Sequence, residues 1–155
     1  MKRKILITGG TKGLGFATAR KLAQEEAAEL YLSYRSDQET AQKAQSALIS
    51  AGASQCVMIA CDLSEEGASD RLFDELAKHT SRLDVYVHNA AATAFKELRE
   101  IRAHHIDKTF NITVKAFILG VQRAATLMTE GGGDRECQRD GYTQGRAAPR
   151  AFGCR

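Results

Sequence analysis

Apolar positions along the chain fall into two alternating rhythms. Residues 3–8 (Arg-Lys-Ile-Leu-Ile-Thr) form a short apolar run that stops at Gly9-Gly10, which predicts a buried strand and a sharp turn. Leu14, Ala17, Ala19, Leu22 and Ala23 are then interleaved with Arg20, Lys21 and Gln24, which predicts an amphipathic helix over 13–25. A second strand is expected at 30–34. The helix after it, over 37–51, starts at Asp37 as N-cap, carries Ala41, Ala44, Leu48 and Ala51 on one face, and closes at Gly52. The cycle repeats with a strand at 55–61. It continues with a helix capped by Ser64 that buries Ala68, Leu72, Leu76 and Ala77, and a strand at 83–87. A long helix is expected over 106–128. Phe110, Val114, Phe117, Ile118, Val121, Ala125 and Met128 recur there every three or four positions and form its apolar stripe.

Strands alternating with helices imply crossover units, and these give a parallel sheet covered on both faces. The handedness of such crossovers makes a doubly wound α/β sheet, Rossmann-like, the simplest solution, with strand order 3-2-1-4. The sheet is expected to be incomplete, because the rhythm stops at Met128. After Gly131-Gly132-Gly133, residues 134–155 hold five arginines against three acidic residues and show no apolar periodicity. The chain thus divides into a dinucleotide-binding domain over 1–133 and an irregular tail over 134–155.

Composition narrows the partners. Apolar residues make up 43% and charged residues 26%, ordinary for a globular domain. A net charge of +3 is too small to argue for nucleic acid or a membrane surface. No apolar run approaches the roughly 20 residues of a membrane span, and the apolar stretch after Met1-Lys2-Arg3-Lys4 is too short for a signal peptide. Cys56, Cys61, Cys137 and Cys154 form no C-x-x-C pair, and His79, His88, His104 and His105 supply no convincing metal-ligand set. Reduced thiols and a cytoplasmic location are therefore expected.

The most informative segment is Thr8-Gly9-Gly10-Thr11-Lys12-Gly13-Leu14-Gly15, which leaves the first strand and enters the first helix. Glycine at 9, 13 and 15 permits a tight turn and close approach of a diphosphate to bare backbone. The helix beginning near Gly13 aims its unpaired N–H groups and positive dipole end at that place. The strand–loop–helix context is what gives such a motif its meaning. This T-G-x-x-x-G-x-G spacing resembles the short-chain dehydrogenase/reductase family. Three further landmarks resemble it in the same order. Asp62, in Cys-Asp-Leu-Ser with Leu63, is similar to the acidic residue that holds the adenine amine. His88-Asn89-Ala90-Ala91 is similar to the N-N-A-G segment, with Asn89 and Ala90 at the cofactor. Asn111 falls where the family keeps its structural-catalytic asparagine. Glu26, His88 and Ala91 depart from the family pattern, which commonly has glycine, asparagine and glycine there. Within the family, the Asn-Ala-Ala variant looks most like the acyl-carrier-protein branch of enoyl reductases of type III and 3-oxoacyl reductases.

The resemblance implies a nicotinamide cofactor, and the residues after the second strand distinguish its two forms. A carboxylate there binds the free ribose hydroxyl of NAD, whereas basic groups bind the 2′-phosphate of NADP. Here the strand runs into Arg35 and Ser36, with no carboxylate before Asp37. Arg35 offers a forked donor and Lys12, from the glycine loop, a point charge. Together they make NADP(H) the expected cofactor, with Thr11 and Leu14 of the loop among the residues expected to bind it.

The family's catalysis implies a serine and a tyrosine whose pKa is lowered by a lysine four residues on. This chain lacks that set. Tyr142 to Arg146 imitates the spacing, but glycines flank it and arginine does not replace the lysine ammonium. A frameshift near Gly133 would account for the break, since a one-base shift can turn the residues after it into a fifth strand ending in serine. The expected lineage is an NADP-dependent oxidoreductase acting on a carbonyl or enoyl acyl-thioester substrate. A catalytically inactive dinucleotide-binding fragment and an interaction half-domain stay open beside it. The resemblance also implies a homo-oligomer through the helix over 106–128. With no fifth strand, the fourth would be an open edge and that helix partly wet, so poor solubility, loose packing and weak NADPH binding are expected.

Overall fold

The computed structural model describes residues 2–92 and 97–128. The tail over 134–155, with Tyr142 to Arg146, lies outside these residues. Four parallel strands, β1 (Lys4–Thr8), β2 (Glu29–Tyr34), β3 (Gln55–Ala60) and β4 (Val85–His88), lie in the order β3-β2-β1-β4. Helices α1 (Gly13–Glu26), α2 (Gln38–Ser50) and α3 (Ala68–Ala77) form the crossovers. After β4 come a short 3-10 turn (Leu98–Glu100), helix α4 (Ala103–Phe110), a π-turn (Asn111–Lys115) and helix α5 (Ala116–Leu127). This is the doubly wound, Rossmann-like sheet that the alternating pattern predicts.

Alternation along β1 and β2 divides the core into two layers. Ile5, Ile7, Leu30 and Leu32 join Ala19, Ala23 and Leu48 of α1 and α2 on one face. Leu6 and Tyr31 join Leu72, Phe73 and Leu76 of α3 and Ala116 and Ala124 of α5 on the other. Because both faces of β1 and β2 are covered, these strands are apolar almost without interruption. The strand bases are fastened by charge. Asp84 accepts the Lys4 backbone N–H at 2.8 Å and pairs with Arg82 at 2.9 Å. Lys4 Nζ reaches Thr80 Oγ1 at 3.0 Å and Glu29 at 3.6 Å.

Several local expectations are corrected. Ser64 does not cap α3: its N–H and hydroxyl bind Asp62 Oδ1 in a turn, and Gly67, with φ +69°, precedes the helix. The helix therefore starts later, and Phe73 is buried while Ala77 is exposed. In α1 the inward line is Phe16, Ala19 and Ala23, which leaves Leu14 and Ala17 outside it and exposed. The left-handed turn after this helix is taken by Ala27, with φ 49°, rather than by a glycine. In the last helix Phe110, Val114, Phe117, Ile118 and Val121 are all exposed, which agrees with the partly wet apolar face expected there, and Ile112, Ala116, Gly120 and Ala124 are buried.

Candidate cofactor site

The C-terminal ends of β1, β2 and β4 open into a cavity of about 670 Å³. Clefts at this end of a doubly wound sheet are where the fold takes ligands. Its walls include Gly9, Thr11 and Lys12 of the first loop, Arg35 and Ser36 after β2, Asp62 and Leu63 after β3, and Asn89 and Ala90 after β4. Nine sequence-predicted residues therefore share one cavity.

The glycines of the loop do different work. Gly9 has φ +64° and Gly13 φ +57°, both in the left-handed region. A Cβ at Gly13 would meet nothing within 4 Å, so this glycine faces open space. At Gly15 a Cβ would lie 2.5 Å from both Asn89 Nδ2 and the Gly9 carbonyl, so this glycine serves close packing. Helix α1 starts with Lys12 in extended conformation, with no side-chain cap and no acidic residue in the first turn. Its positive end is therefore left to an outside acceptor.

Asn89 braces this loop from the neighbouring strand. Its amide donates to the carbonyls of Thr8 at 3.1 Å and Gly9 at 3.0 Å. Thr8 Oγ1 accepts the N–H groups of Asn89 at 3.1 Å and Ala90 at 3.0 Å. Asp62 also has a local task, since its Oδ1 holds Ser64. The two Ser64 hydrogen bonds, with smaller help from Arg35 and Lys108, keep its carboxyl below the usual range. Asp37 caps α2 through Thr40 and lies 3.8 Å from Lys12, so a carboxylate does sit beside that cation. The Thr40 N–H and hydroxyl hold that carboxyl below its ordinary value, with Lys12 and Lys43 adding to the effect.

Asn111 lies elsewhere. It is exposed, and it lines a separate cavity of about 270 Å³ with the 63–69 loop, Lys115 and Leu119. The main cavity instead takes His105, Lys108, Thr109 and Ile112 from α4 and the π-turn. The sequence reading missed these four, although their spacing of three and four places them on one helix face. No group of His, Cys, Asp and Glu able to hold a metal occurs among the described residues. No helix among them is long and apolar enough to cross a membrane.

Comparison with known proteins defines the class. The short chain dehydrogenase family pattern matches residues 3–135, and the chain belongs to that family. It is 35% identical over 127 residues to 1-cyclohexenylcarbonyl-CoA reductase of Streptomyces collinus, covering 82% of this chain and 45% of the relative. It is 31% identical to the hydroxynaphthalene reductase-like protein Arp2 of Metarhizium brunneum, with 82% and 47% covered. Among solved structures, a short chain dehydrogenase from Burkholderia cenocepacia in complex with NADP aligns with a TM-score of 0.76 at 31% identity, covering 84% of this chain and 52% of that one. The chain spans about half the length of the curated relatives it matches.

Proposed function

We propose that residues 1–133 bind NADP(H), and that the chain derives from an oxidoreductase moving hydride between this cofactor and a carbonyl or enoyl acyl substrate. One observation carries the reading: Lys12, which precedes the uncapped start of α1, lines one cavity with Gly9, Thr11 and Arg35, and the next residue, Gly13, faces open space. The diphosphate would rest on the loop amides of Gly9, Thr11, Gly13, Leu14 and Gly15. The 2′-phosphate would meet Arg35, Lys12 and Ser36, and the adenine would meet Asp62 and Leu63. Asn89 and Ala90 would hold the backbone against the nicotinamide half. When bound, the cofactor would supply or accept the hydride, and these residues would bind and orient it.

NADP complexes among the structural neighbours and a CoA-thioester reductase among the relatives agree with this reading. Titration of the 155-residue chain should show NADPH binding more tightly than NADH. Arg35→Ala should weaken NADPH by roughly tenfold, the loss of one charge-assisted contact, and leave NADH nearly unchanged. Equal losses for both cofactors would overturn the preference.

A second reading, a dinucleotide-binding fragment without catalysis, draws on Tyr142 to Arg146, which imitate the catalytic spacing with arginine in place of lysine. NADPH oxidation with enoyl and 3-oxoacyl thioesters separates the two readings. Asn111 belongs to the catalytic proposal by resemblance, and its place outside the main cavity suits a supporting role. Association with a second copy through the exposed apolar face of α4 and α5 is part of the same proposal.

A further inference from the structure

Helices α4 and α5 form one run interrupted by the π-turn Asn111–Lys115. In an unbroken α-helix the Ala116 N–H would bond to the Ile112 carbonyl, four residues back. Here it bonds to the Asn111 carbonyl, five back. The Ile112 carbonyl thus loses its ordinary donor at a residue that is buried, where an unpaired acceptor is costly. His88 Nε2 lies 3.0 Å from that oxygen.

The partners of the ring fix its tautomer. A carbonyl can only accept, so Nε2 carries the proton and Nδ1 is the acceptor in the neutral ring. Tyr86 Oη, 3.0 Å from Nδ1, donates to it, and Thr8 Oγ1 stands at 3.5 Å. Thr8 Oγ1 is also the acceptor for the Asn89 and Ala90 N–H groups that brace the glycine loop. Ile112, at the other end, lines the cofactor cavity, whereas His88 does not.

We infer that His88 is a positioning residue: its imidazole replaces the helix donor missing at the π-turn and so fixes the part of the cavity wall made by Thr109 and Ile112 to the end of β4. Its departure from the family's asparagine is then a matched feature of this chain, set against Ile112 and Tyr86. The consequence for binding rests on the cofactor reading, but the tie to the π-turn does not.

The test uses the 155-residue chain. Nitrogen-15 NMR of the wild type should find His88 neutral with the proton on Nε2; a proton on Nδ1 would overturn the inference. His88→Leu should weaken NADPH by about tenfold, the loss of one buried hydrogen bond, and speed amide exchange at Ala116 and Phe117. His88→Gln places an amide N–H near the Nε2 position and should restore both. Binding and exchange in His88→Leu equal to wild type, or no recovery with Gln, would refute the role. If the wild type binds no NADPH, the cofactor reading falls, and the tautomer and amide exchange still decide on His88. If the Leu variant does not fold, the tautomer and the Gln variant decide.

Discussion

β2 and β4 flank the same central strand, yet they live in different surroundings. Leu30, Tyr31 and Leu32 of β2 are fully buried between β1 and β3. All four residues of β4 are half-buried, and among the described residues this strand pairs with β1 alone. The helices follow suit. Helix α2 turns Ala41, Ala44 and Leu48 inward, whereas the run from α4 to α5 carries Phe110 at 59% and Phe117 at 47% exposure. Among the described residues, one half has closed its core on both faces, and the other presents an open strand edge and an apolar helix face. An unpaired edge beside exposed apolar surface is where another segment or another chain adds.

Core truncation tests this contrast most strongly. Leu30→Ala should lower stability by about 2–5 kcal/mol, because it removes fully enclosed methyl groups and leaves a cavity. Val85→Ala, at a half-buried site, should cost about 1 kcal/mol or less. Urea midpoints of the two variants give the comparison directly, and equal losses would erase the distinction. Amide exchange should agree, slow through β1 and β2 and faster through β4.

A smaller effect is expected at the helix seam. Gly120 lies directly against the Tyr86 hydroxyl, and a Cβ there would overlap the phenol. Gly120→Ala should therefore cost about 1–3 kcal/mol by overpacking, despite the better helix propensity of alanine. Calorimetry reads the sign, since a rise in Tm would show that α5 is free to lift from the sheet.

The same seam shows how far the sequence could be read. Element order, strand order and the glycine loop were legible because they depend on alternation and on fixed turn chemistry. The inward face of α5 was not, because small residues give no apolar signal of their own beside the larger stripe. The helix instead docks through Ala116, Gly120 and Ala124, spaced at four, with Tyr86 filling the space at Gly120. Small residues allow the close approach, and the larger side chains are left outside. In the candidate site, nine residues were legible as loop positions at strand ends. His105, Lys108, Thr109 and Ile112 were hidden because they arrive from a helical run rather than from a loop at a strand end.

The exposed face itself gives the next test. Ile118→Lys with Val121→Lys should change stability by about 0.5 kcal/mol or less, since both residues are exposed. Sedimentation should show the wild type self-associating and the double variant shifted toward monomer. Identical sedimentation of the two would remove this face as the site of association.

The smallest effect is in pH. Burial pushes the His88 imidazole below its ordinary value, and the Ile112 hydrogen bond only partly offsets this. The groups facing it are the Tyr86 and Thr8 hydroxyls, the Phe117 ring and the Ile112 carbonyl. None is a carboxylate that would hold the cation. Burial also raises Tyr86 to about 12, so its hydroxyl keeps the proton that it donates to Nδ1. Because the folded state favours the neutral ring, the unfolded chain takes up the proton first as pH falls. The contribution of His88 is thus complete above its unfolded pKa of about 6.5 and is lost as pH drops through that value toward the lower folded one. His88→Gln should flatten the stability profile in this window and leave the acid limb below it unchanged. That lower limb belongs to Asp37 and Asp62, whose depressed values stabilise the fold above the ordinary carboxylate range and fail as pH falls through their folded values. Denaturant midpoints of both proteins across this range separate the two limbs. A wild-type profile that is already flat there would mean that water reaches the ring from the open side of β4.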